Sequence, residues 1–208
     1  MLRKGYIQHQ IEGLSQALGM LFGITLDKEA VLQKLGTSCK NLTGLDLDTL
    51  LRLDDTTLLG MFEGGDRTRT AGNAFVAAQF LLRRALADPT VARAARRKAA
   101  LLYSEALALE SSLRSSEYRS ELESLLAEVE ATDPTHHVLR QAARVHEALG
   151  AYDRAENYHY HLQDAGAEGA TEDVIAFYER LLKIPDEELD AGNLPRNEVK
   201  AALAERLS

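Results

Sequence analysis

Four prolines, Pro89, Pro134, Pro185 and Pro195, are the only ones in 208 residues, and the segments between them are dominated by Ala, Leu, Glu, Arg and Gln. Those residues are strong helix formers, whereas proline breaks a helix interior. No segment alternates apolar and polar residues between turn signals, the pattern a half-buried strand requires. The chain is therefore expected to be all-α, built from antiparallel helix hairpins joined by short links.

The hydrophobic fraction of 45% and charged fraction of 27% suit a packed core and exclude global disorder. A net charge of -8 argues against nonspecific binding of nucleic acid. One stretch departs from it: Arg83, Arg84, Arg93, Arg96, Arg97 and Lys98 form a basic cluster, read as a solvated helix face rather than a docking patch. Cys39 is the only cysteine, so no intramolecular disulfide or cysteine-rich metal site is expected. A reducing, cytoplasmic location fits that usage. Gln8, His9, Gln10 and Glu12 interrupt the apolar run a signal peptide needs. The uncharged run 13–26 is shorter than the roughly 20 apolar residues a bilayer span takes, so no membrane association is expected.

A first helix is predicted from about Arg3 to Phe22, with Ile7, Ile11, Leu14, Leu18 and Leu21 in a narrow apolar stripe. That stripe packs on the same chain or, as the alternative, joins a homodimer. Shorter helices follow: one capped by Asp27 and stopped at Gly36, one from Asp46 to Leu53, and one capped by Asp54 or Asp55. The stretch 64–72 reads as an exposed loop. From Asn73 onward the helices lengthen. Asp133 is expected to cap a helix with Pro134 at its first position, ending at Gly150. Another helix spans about Tyr152 to Asp164, one is capped by Thr171, and the last follows Pro195.

The segment 136–164 contains Leu149-Gly150-Ala151-Tyr152-Asp153-Arg154-Ala155-Glu156, with Ala143 upstream and Tyr158 and Leu162 downstream. It resembles a tetratricopeptide repeat, two antiparallel helices packed through small and aromatic residues. Departures are Leu139, where the family usually has a large aromatic, and His146 and His159 at later aromatic-type positions. The resemblance implies a right-handed superhelical arrangement over 67–208, with 1–66 an additional N-terminal helical segment packed on it in one continuous unit. The whole chain also resembles an uncharacterised bacterial family, through Gly5-Tyr6-Ile7 and the stretch from Asp186 to Pro195.

No Gly-x-Ser-x-Gly elbow, HExxH pair or calcium loop is present. The chain is accordingly not expected to be an enzyme, and no cofactor is implied. His136, His137, His146, His159 and His161 cluster, but His159 and His161 lie about 200° apart on a helix and cannot face one metal. A metal-binding protein or enzyme using His146 and His159 is the alternative reading. The expected function is an intracellular protein- or peptide-interaction module. The resemblance places its groove on the first helix of the hairpin, at His137, Arg140, Arg144 and Glu147. Arg140 and Arg144, four apart, share a face and suit a carboxylate or phosphate.

Overall fold

A computed structural model describes residues 2–22, 28–62, 66–132 and 134–207, with side chains described throughout except for 2–4 and 18–22. Twelve α-helices are described. They are α1 (Leu2–Phe22), α2 (Lys28–Thr43), α3 (Leu47–Arg52), α4 (Asp55–Gly60), α5 (Arg67–Ala87) and α6 (Ala92–Leu109). A 3-10 turn at Ser111–Leu113 precedes α7 (Ser116–Thr132), α8 (His136–Ala148), α9 (Tyr152–Asp164), α10 (Ala170–Leu181), α11 (Asp186–Ala191) and α12 (Arg196–Leu207). No strand occurs among the described residues. The chain divides into two compact units, Met1–Pro134 and Thr135–Ser208.

The first unit is centred on the α5–α6 hairpin. Alanines at 71, 74, 77, 78 and 85 on α5, and at 95, 99, 100 and 106 on α6, are buried; small side chains let two helix backbones approach closely. Phe75 fills the space beyond them, between Tyr103 and Tyr118. Around the hairpin, α1 and α2 pack on α5, and α3, α4 and α7 pack on α6. The segment 1–66 thus lies wholly inside this unit, and 67–208 is shared between the two units.

Of the apolar stripe on α1, Ile7 and Leu14 are buried inside the unit; the side chains of Leu18 and Leu21 lie outside the described residues. Tyr6 donates its hydroxyl proton to Asn73 Oδ1 at 3.0 Å, and Gln10 donates to the Tyr6 oxygen at 2.9 Å. Cys39 is buried, and burial pushes its thiol up to about 11, the state of a small apolar residue rather than a nucleophile.

Several local expectations require correction. Gly36 does not stop α2, which runs on to Thr43; a lone glycine weakens a helix interior without ending it. The stretch read as a loop is helical from Arg67 because the Asp66 carboxylate accepts the Arg69 amide and caps α5. The cap of α8 is Thr135, whose hydroxyl accepts the Val138 amide; Asp27 and Asp133 lie outside the described residues. α10 starts at Ala170 after the left-handed Gly169, so Thr171 is not its cap.

The basic cluster is a solvated face only in part: Arg93 is exposed, but others turn to carboxylates of the unit. Lys98 is 1% exposed; its ammonium donates to the Leu53 carbonyl and lies 3.6 Å from an Asp55 carboxylate oxygen. Arg97 reaches the same Asp55 oxygen at 3.5 Å, Arg84 sits near Asp48 and Asp88, and Arg96 meets Glu128 at 3.0 Å. Carboxylates of the same unit thus pair with Arg84, Arg96, Arg97 and Lys98, and Lys98 is withdrawn from any phosphate.

The second unit begins with the α8–α9 hairpin, the helix pair expected over 136–164. Gly150 adopts φ 74, and the bonds from Gly150 N to Glu147 O and from Ala151 N to His146 O close α8 in the glycine-terminated pattern that satisfies its last carbonyls. One core cluster joins Leu139, Leu162, Ala167 and Ala170. A larger one joins Tyr152, Ala155, Val174, Phe177, Tyr178, Leu181, Leu189, Leu194 and Val199. The stretch from Asp186 to Pro195 forms α11 and its termination. Gly192 there accepts the Asp153 amide through its carbonyl at 3.1 Å, so the segment clasps the start of α9.

Candidate binding cleft

Within the second unit, α8 and α10 border a cleft of about 280 Å³ whose lining includes Arg140, Gln141, Arg144 and Glu147 from α8, His159 from α9, and Asp173 and Arg180 from α10. Spacings of three and four residues put the α8 members on one helix face. Three of the four residues expected to bind a partner therefore line one cleft; His137, half-buried one turn earlier, is not among its lining residues.

Two ion pairs cross from α8 to α10. Arg140 donates through Nε to Asp173 Oδ2 at 2.7 Å and through Nη2 to the Glu168 carbonyl. Arg180 forms a two-pronged pair with Glu147, both contacts at 2.7 Å. Arg140 and Asp173 are 33 residues apart, and so are Glu147 and Arg180. Equal offsets taken in the same order mean that α8 and α10 run parallel and in register, with α9 returning between them. Arg140 thus ties α8 to α10 while lining the same cleft as Arg144.

Two further lining residues of the cleft are polar and buried. Gln141 is 8% exposed and His159 is 6% exposed. Gln141 Oε1 and His159 Nδ1 each lie buried without a hydrogen-bond partner in the protein. Burial drives the His159 imidazole down to about 4, so the ring is neutral near pH 7; it leans on Phe177 at 4.8 Å between ring centres. A buried polar atom without a partner costs about 1–3 kcal/mol, which makes these two atoms the most demanding feature of the cleft.

The other histidines do not assemble a metal centre. His146 stacks on Tyr158 at 5.4 Å, and His161 meets the same ring edge-on at 6.0 Å. Among the described residues no three His, Cys, Asp or Glu side chains converge as a metal site would need. Asp173, Arg180, Gln141 and His159 join this cleft without a local sequence pattern that marks them as its members. The signal that bears on them is the 33-residue offset, which pairs complementary charges on two helices.

The sequence model of one family matches residues 1–207. The chain belongs to the family of unknown function DUF6483. No match is found among curated proteins or among solved structures. The two stretches singled out in the sequence have clear structural work in this DUF6483 chain: Tyr6 ties α1 to α5, and Asp186 to Pro195 closes the second unit. Among the described residues no helix is long and apolar enough to cross a membrane.

Proposed function

We propose that this chain is an interaction module that docks a protein or peptide segment against the α8–α10 face of its second unit. The observation that carries the reading is the parallel, in-register pairing of α8 and α10 at a fixed offset of 33 residues. That offset is close to the roughly 34-residue period of tetratricopeptide arrays, whose first helices line up side by side to form a binding surface. The Gly150 turn and the buried Ala155 support the same arrangement. The lining carries three guanidinium groups against two carboxylates, which favours a partner segment bearing acidic residues. The module is read as a binder, with Arg140 paired to Asp173 and Arg180 to Glu147 as the frame of the face.

Arg144 is exposed at the cleft rim and is the residue to change, because altering Arg140 would also unstitch α10. Arg144→Glu should abolish capture of the partner from a lysate of the source cells while leaving helicity intact, and Arg144→Lys should retain most of it. Equal capture by wild type and Arg144→Glu would overturn the docking face.

A further inference from the structure

We infer that the α8–α10 cleft is a site for a small zwitterion of the α-amino acid class, a carboxylate with a protonated amine beside it. The site is built from Gln141 Oε1, His159 Nδ1 and the two ion pairs that line the same cleft. It lies beyond the docking reading and does not depend on it, since it concerns a free small molecule in the purified protein.

Three features lead there. The first is an unmet need for a donor. Gln141 Oε1 can only accept, it is buried, and no protein group donates to it; a ligand N–H group placed there removes a standing cost. The neutral His159 ring beside it offers a second nitrogen and does not repel an ammonium group.

The second is the arrangement of charge. Arg140 and Arg180 use only part of their five N–H donors on Asp173, Glu168 and Glu147, so a ligand carboxylate can join either guanidinium with the ion pair kept. A bare anion added there sets two carboxylates against each other, and a bare cation added to Asp173 or Glu147 sets an ammonium against a guanidinium. A zwitterion avoids both: its carboxylate takes the remaining arginine donors and its ammonium takes the paired carboxylate. Every charge remains paired, and the ammonium still has a proton for Gln141.

The third is size. A cleft of about 280 Å³ sits at the small end of metabolite pockets, which span about 300–1,000 Å³. It suits a free amino acid rather than a nucleotide.

The test is titration calorimetry on the full chain, using each free α-amino acid in turn at millimolar concentration. The N-acetylated and carboxamide forms of any binder serve as comparators. At least one amino acid should bind, and blocking either its amine or its carboxyl should weaken binding roughly tenfold or more, as loss of one buried polar contact does. Gln141→Met should weaken it similarly without altering the far-ultraviolet circular dichroism. No heat from any amino acid would overturn the proposal, as would an N-acetyl form binding as tightly as its parent. If Gln141→Met fails to fold, the comparison of blocked and unblocked ligands on the wild-type chain decides alone. Partner capture by the Arg144 variants reads the docking face separately, so either reading can fail while the other stands.

Discussion

His159 shows how one side chain couples the cleft to the stability of its unit. The ring lies within reach of the charges of both ion pairs and against Phe177, and burial lowers its affinity for a proton from the ordinary 6.5 to about 4. The unfolded chain therefore binds the proton at a higher pH than the folded chain does. Protons then favour unfolding, so stability is full above about pH 6.5 and declines as pH falls toward 4. The span corresponds to about 3 kcal/mol, an order-of-magnitude figure from the linkage of proton binding to folding. Urea melts at pH 7 and pH 4.5 should show this loss, and His159→Leu should remove most of the difference. An equally steep decline in the variant would place the acid sensitivity in other groups.

At the scale of elements, two glycines in this chain predict opposite outcomes. Gly36 lies inside α2, where an added methyl group would meet nothing within 4 Å. Gly36→Ala should therefore stabilise by up to about 1 kcal/mol through helix propensity. Gly192 ends α11 against the α8–α9 turn, where a methyl group would overlap the Tyr152 ring and sit 2.6 Å from the Gly150 carbonyl oxygen. Gly192→Ala should destabilise by about 1–3 kcal/mol, the range for forcing an atom into a packed site. Thermal melts of the two variants check both signs. In sequence the two glycines look alike, and Gly36 reads as a helix stop; what separates them is a neighbour brought in by the fold. The same limit explains the rest of what was legible. Helix identity, the Gly150 turn and the shared face of Arg140, Arg144 and Glu147 follow from local spacing. The start of α5 was obscured because Arg67-Thr-Arg-Thr is polar, although Asp66 supplies a sufficient cap. Asp173 and Arg180 are ordinary surface charges until α10 is laid beside α8, and Lys98 is one of several basic residues until Asp55 and Leu53 are found around it.

At the scale of the molecule, the larger core of the second unit draws every member from residues 152–199, and the smaller one from 139–170. Both lie inside Thr135–Ser208. A segment that supplies its own apolar partners, caps and ion pairs has what it needs to fold alone, though a domain this short has little stability to spare. The fragment 135–208 should therefore be helical by circular dichroism and melt in one cooperative transition. Leu189, fully buried on the short helix α11, is the position that probes this most directly. α11 is too short to persist by helix propensity, so it is held by the apolar side chains around Leu189. Leu189→Ala should cost about 2–5 kcal/mol, the range for truncating a buried leucine, and by similar amounts in the fragment and in the whole chain. A cost seen only in the whole chain, or a fragment with the spectrum of a coil, would mean that the second unit takes its order from the first.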